Sequence, residues 1–139
     1  MQKCKIIIDT NLWISLLIGK RLSELRSLCN DTTIVVYFCT ELKAEFIRIA
    51  SSDKIRKYAT EERIAKTLEL MDSSCVEVPL TSVAVSSDLR DVDDLYLLSL
   101  ADTVQADFIL TGDKDLLTLL SHNRTKIVTY NEFVAIAAK

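Results

Sequence analysis

The sequence predicts an α/β fold, an α/β/α sandwich around a central parallel sheet of four to five strands, and three observations carry that expectation. Short apolar runs alternate with longer amphipathic segments along the whole chain. The strand-like runs are nearly continuous in Ile, Val and Phe. Only two glycines and one proline interrupt 139 residues. Continuous apolar strands separated by helices are the pattern of a parallel sheet covered on both faces. So little Gly and Pro argues against a turn-rich sandwich or barrel.

Each element follows from its own stretch of sequence. Residues 5–8 form a short apolar run, a first buried strand. Residues 11–18 and 23–29 read as helices broken near Gly19. Residues 32–38, rich in β-branched and aromatic side chains, read as a second strand. Residues 41–50 and 61–71 carry helical period, and 75–78, stopped by Pro79, a third strand. Residues 81–89 show no period and read as loop. A helix over 94–104, a strand over 107–111, a helix over 116–120 and a strand over 126–129 follow. Asn131 is expected to cap a closing helix over 132–138.

Composition excludes several classes. With 49% hydrophobic residues and a net charge of −3, the chain is not disordered. Its length suits one domain, 1–139. No apolar run approaches the ~18 residues of a membrane span, and Asp9 interrupts the first apolar stretch, unlike a signal peptide. The cysteines at 4, 29, 39 and 75 include no Cys-x-x-Cys pair and are expected to be reduced core residues. A cytoplasmic protein is expected.

Charge is uneven. Residues 1–70 hold 12 Lys and Arg against nine acids, whereas 71–139 hold five against 11. The basic excess concentrates in Lys54, Arg56, Lys57, Arg63 and Lys66; eight aspartates fall between Asp88 and Asp115. Two solvated faces account for this. So does an acidic, cation-loaded cleft beside a basic wall, which suits a phosphodiester.

The positions of individual carboxylates are more informative. Ligands of open α/β sheets bind beyond the carboxyl ends of the strands, where Asp9 follows the first strand and Asp113 the fourth. Either alone is explained as a turn former or helix cap. Glu45 lies within the apolar stripe Leu42–Phe46–Ile49 of its helix. There a carboxylate is costly unless it is paired, for example with Arg48 or Arg21, reaches solvent at an edge, or binds a metal. Asp94 opens a helix with Leu97, Leu98 and Ala101 on its inner face, with Asp91 and Asp93 nearby. Capping explains one of the three. An all-oxygen set without Cys or His selects Mg²⁺ or Mn²⁺ over zinc. Such ions polarise a phosphoryl oxygen and activate water, and a pair ~3.5–4 Å apart serves both attacking and leaving oxygens.

Other chemistries fit poorly. His122 stands in a polar Ser-His-Asn-Arg stretch expected to be an exposed loop. The two glycines, 93 positions apart, make no phosphate loop, and no G-x-S-x-G elbow is present. The run Asp9-Thr10-Asn11 lacks the second acid of a haloacid-dehalogenase-type phosphatase.

The stretches IIIDTNLWIS at 6–15, ELKAEFIRIA at 41–50, RDVDDLYLLSLA at 90–101 and ADFILTGDKDLL at 106–117 resemble, in that order and spacing, the PIN-domain family of metal-dependent ribonucleases, which includes VapC-like toxins of bacterial toxin–antitoxin pairs. The resemblance covers essentially the whole chain and implies a sheet with the first strand central. It also implies metal binding by Asp9, Glu45, Asp94 and Asp113, with Asp91 an additional acid. Asn11 and Thr111 match polar residues that orient the acids or bound waters, and Asp115 matches a position that helix capping explains. Val92 departs from the Pro often found there. The implied function is an Mg²⁺- or Mn²⁺-dependent endoribonuclease, the toxin of a pair, with RNA as substrate, an antitoxin as protein partner and a homodimer as assembly. The basic stretch would hold RNA phosphates beside the cleft, or contact an antitoxin or second subunit, or simply be solvated. Two alternatives stand beside this: a catalytically silent RNA- or protein-binding module, and a metal-dependent phosphatase.

Overall fold

Three isoleucines in a row set the centre of the molecule. Ile6, Ile7 and Ile8 are all fully buried, and since successive strand residues face opposite sides, both faces of their strand must be covered. In the computed structural model, which describes residues 3–80 and 92–137, this strand, β1 (Cys4–Ile8), lies in the interior of a six-stranded sheet. The other strands are β2 (Ile34–Phe38), β3 (Val76–Glu77), β4 (Phe108–Leu110), β5 (Ser121–His122) and β6 (Thr125–Val128), in the order β3-β2-β1-β4-β6-β5. All neighbours pair in parallel except β5, which is antiparallel to β6. Helices α1 (Thr10–Ile18), α2 (Leu22–Cys29), α3 (Thr40–Ala50), α4 (Asp53–Arg56), α5 (Glu61–Ser74), α6 (Val92–Val104), α7 (Lys114–Leu119) and α8 (Tyr130–Ala137) complete the α/β/α sandwich.

The core is where apolar faces meet. Trp13 of α1 packs edge-on against Phe46 of α3 at 6.3 Å between ring centres, and Phe133 of α8 meets Phe108 of β4 at 5.4 Å. Leu97, Leu98 and Ala101 of α6 are buried, as their spacing predicts. All four cysteines are free, with Cys29 and Cys75 sulfurs 3.7 Å apart.

Three differences from the sequence reading have local causes. The Ser-His-Asn-Arg stretch begins with β5: Asn123 takes a left-handed turn at φ 54° and reverses the chain onto β6. His122 is accordingly tethered, Nε2 to Asp102 Oδ2 at 3.0 Å. The short helix α4 is too brief to show a period. The last helix starts before Asn131: Thr129 Oγ1 accepts from the Glu132 amide and Glu132 Oε1 from the Thr129 amide, a reciprocal capping box. The loop expected over 81–89 and the candidate acid Asp91 lie outside the described residues. Among the described residues, no helix is long and apolar enough to cross a membrane.

Candidate metal centre

The strand register brings the first acid to a particular point. Ile8 pairs with Leu110, and the Asp9 amide continues the ladder by donating to Leu110 O at 2.9 Å. Asp9 therefore leaves the sheet beside Thr111. It occupies the N-cap position of α1, yet its carboxylate makes no capping hydrogen bond. Instead Oδ2 accepts from the Thr111 hydroxyl at 2.7 Å, and Thr111 Oγ1 in turn accepts from the Asp113 amide at 3.0 Å. The chain Asp113 N–H, Thr111 O–H, Asp9 carboxylate ties the ends of β4 and β1 together. Both Asp9 and Thr111 are buried.

Asp113 is different. Its Oδ1 caps α7 by accepting from the Asp115 amide at 2.9 Å, so for this acid the plain helix-cap explanation holds alongside any other role. Asp115 itself is exposed.

Glu45 is half-buried on α3. Neither Arg48 nor Arg21 pairs with it: Arg21 bonds Glu24, and the ion pairs of the described residues do not include Glu45. Its partner is Tyr96 of α6, whose hydroxyl donates to Oε2 at 2.5 Å and lies 3.1 Å from Thr10 Oγ1. Tyr96 thus links α3, α6 and the first residue of α1. Burial, the Glu45 bond and the Glu45 and Asp9 charges hold its phenol well above the usual tyrosine range. Neither Tyr96 nor Thr10 stands out in the sequence; an aromatic two residues past an acidic run reads as core.

The electrostatics converge on Asp9. Burial, the largest cause, raises its carboxyl to about 6; the Thr111 hydroxyl opposes this, and the neighbouring Asp113 and Glu45 charges reinforce it. No lysine or arginine pairs with Asp9, Glu45 or Asp113 among the described residues. Carboxylates, one of them buried, that repel one another without a cation are a poor structural device. They suit a hard divalent ion, for which an all-oxygen donor set is appropriate. Among the described residues no three such side chains converge on one ion position. Asp94 is the third residue of α6, two before Tyr96 in sequence, and its side chain lies outside the description, as do those of Val92 and Asp93. Asn11 is exposed and makes no described hydrogen bond to the acids.

Residues 5–115 match the family model described as the PIN domain. The chain is a PIN-domain protein. Over 144 residues it is 34% identical to the uncharacterized protein MJ1680 of Methanocaldococcus jannaschii, covering 95% of this chain and 90% of that one. Two solved structures share its fold. One is VapBC2 from Rickettsia felis bound to a DNA fragment from its promoter (TM-score 0.54, 13% identity, 88% of this chain and 96% of that chain). The other is PAE2754 from Pyrobaculum aerophilum (TM-score 0.54, 14% identity, 98% and 91%).

The basic stretch of this PIN domain does not form one face. Arg56 pairs with Glu61, and Arg63 donates to Leu17 O at 3.4 Å and Tyr58 O at 2.6 Å. Lys66 pairs with Glu62 at 3.2 Å and lines a separate hollow with Arg26 and Glu69. Lys54 and Lys57 are exposed. Arg56, Lys57 and Arg63 share one groove, which neither Lys54 nor Lys66 lines.

Proposed function

We propose that this PIN-domain protein is an Mg²⁺- or Mn²⁺-dependent endoribonuclease. The observation that supports it most is the Asp9 carboxylate, 4% exposed, set among acids and hydroxyls with no cation paired to it among the described residues. As the family resemblance implies, Asp9, Glu45, Asp94 and Asp113 would hold the ion together, with Asp91 as a further donor; Asp9, Glu45 and Asp113 do not form an ion site by themselves. When bound, such an ion polarises a phosphoryl oxygen and lowers the pKa of water, so that phosphodiester hydrolysis needs no protein nucleophile.

The chain's own residues supply orientation. The Thr111 hydroxyl holds Asp9 Oδ2. The Tyr96 hydroxyl does the same for Glu45. Hydrogen bonds of this kind fix a ligating oxygen and tune its basicity. Proton and metal compete for Asp9, because a protonated carboxyl is a poor ligand. Cleavage should therefore rise as pH passes upward through about 6.

The test is cleavage of a labelled RNA by purified protein with Mg²⁺ or Mn²⁺. Cleavage is expected, and excess EDTA should abolish it. Undiminished cleavage in EDTA, or by Asp9→Asn, would sink the reading. The resemblance to VapC-like toxins and the fold shared with the VapBC2 structure support a further reading of this chain as the toxin of a toxin–antitoxin pair. Expression should then arrest growth, with relief by co-expressing a small adjacent gene product; growth unaffected by expression of an active nuclease would overturn that role.

A further inference from the structure

A groove of about 360 Å³ lies where α1 and α4 end and α5 begins. Four of its lining side chains are cationic, Lys20, Arg56, Lys57 and Arg63, and none is acidic. These four divide their work. Arg63 is bound to two backbone carbonyls and Arg56 to Glu61, so they build the wall. Lys20 and Lys57 are exposed, with no side-chain partner among the described residues. Tyr58, 58% exposed, lines the same groove.

The backbone beneath adds to this. The helix α1 ends with the Arg21 amide on Leu16 O at 2.9 Å and the Lys20 amide on Leu17 O at 3.3 Å, with Lys20 at φ 57°. That is a Schellman end, whose left-handed residue is usually glycine. Here the glycine, Gly19, stands one position early and a lysine takes the strained conformation. Stability alone would favour Gly at position 20. Finally, Asn11, Ser15 and Gly19 recur at every fourth residue and are exposed. Asn11 and Ser15 on α1 and Gly19 at its C-cap thus form an exposed line of small or polar residues that starts two residues from Asp9 and ends one before Lys20. A nine-residue helix spans ~13 Å, the reach of a few nucleotides.

We infer that this groove binds single-stranded RNA, taking one unpaired base on Tyr58 and the flanking phosphates on Lys20 and Lys57, with the strand following the exposed face of α1 toward the acids. The inference rests on the nuclease reading and adds where the strand is held and which residues hold it. An exposed aromatic in a groove lined by lysines is a stacking platform that any unpaired base can use, whereas bases held in a duplex cannot reach it.

Binding of a 5′-labelled twelve-nucleotide oligouridine, followed by fluorescence anisotropy in EDTA over a salt series, tests this. Tyr58→Ala should weaken binding at least about fivefold while Tyr58→Phe binds as the wild type does. Lys57→Ala should weaken it and flatten the log–log salt slope by about 0.7. Lys20→Gly should melt at a higher temperature than wild type yet bind more weakly, a combination that a purely structural lysine would not produce. Wild-type affinity in Tyr58→Ala and Lys57→Ala, or in Lys20→Gly, would overturn the groove. Cleavage assays with Mn²⁺ separate this from the nuclease reading. If Asp9→Asn loses cleavage while the groove variants keep the wild-type KM, the groove fails and the nuclease stands. If wild type binds through the groove and never cleaves, the reverse holds.

Discussion

The two edges of the sheet treat a carboxylate in opposite ways. At the amino-terminal edge, Asp107 accepts from the Lys5 amide at 2.9 Å through Oδ2 and from Arg124 at 2.7 Å through Oδ1. Lys3 and Lys5 line the same cavity. The acid is only partly buried and is surrounded by cations. At the carboxyl-terminal edge Asp9 is far more buried, its charged neighbours are Glu45 and Asp113, and its nearest polar contact is a hydroxyl. The fold thus contains a conventional way of satisfying an acid at a strand end and departs from it at one place. Where structure alone is served, charge is cancelled; where it is left uncancelled, an exogenous cation is the natural complement.

Exchanging an amide for each acid should break the symmetry of that comparison most sharply. Asp9→Asn is expected to lower RNA cleavage on the order of 10³-fold, the rate equivalent of several kcal/mol of lost charge stabilisation. Asp107→Asn should leave cleavage within about twofold. Equal losses in the two variants would remove the distinction between the edges.

Stability against pH comes next. The folded Asp9 carboxyl, at about 6, lies above its unfolded value of 3.8. Its contribution is therefore fully present below about pH 4 and is lost as pH rises through 6. In EDTA, wild type should lose up to about 3 kcal/mol from this source between those limits. Asp9→Asn should lose none of it and should melt higher than wild type at pH 8. Thermal melts of both proteins at pH 5 and pH 8 measure this, and parallel pH profiles would refute it.

A smaller effect is expected at the hydroxyls. Tyr96→Phe frees Glu45 Oε2 and should cost about tenfold in cleavage or in apparent Mn²⁺ affinity, as loss of an orienting hydrogen bond does. Smallest of all, Arg124→Ala, which breaks a mostly exposed ion pair with Asp107, should cost under about 1 kcal/mol in a denaturant melt and nothing in cleavage.

Much of this arrangement is legible in the sequence because it depends on near neighbours. Ile6-Ile7-Ile8 before Asp9, and Phe108-Ile109-Leu110-Thr111 before Gly112 and Asp113, announce strands and the acids at their ends. Leu42, Phe46 and Ala50 mark the buried face of α3 on which Glu45 borders. The charge run 54–66 illustrates the opposite case. Its five cations look like one surface when counted along the chain, yet Lys66 opens into a hollow with Arg26 and Glu69, while the groove formed by Arg56, Lys57 and Arg63 recruits Lys20 from the end of α1. Tyr96, which the sequence reading does not single out, bonds both Glu45 and Thr10.

From the sequence by itself came the alternation of strands and helices, the covering of β1 on both sides, and the candidates Asp9 and Asp113 at strand ends. These follow from periodicity, burial of apolar runs and breaks within a few residues. The tertiary structure alone decided which acids share an environment, which are capped, and which hydroxyls hold them. The Thr111–Asp9, Tyr96–Thr10 and Tyr96–Glu45 contacts join residues 102, 86 and 51 positions apart. Such distances close only when sheet register and helix packing are fixed together, and no local pattern encodes that meeting point.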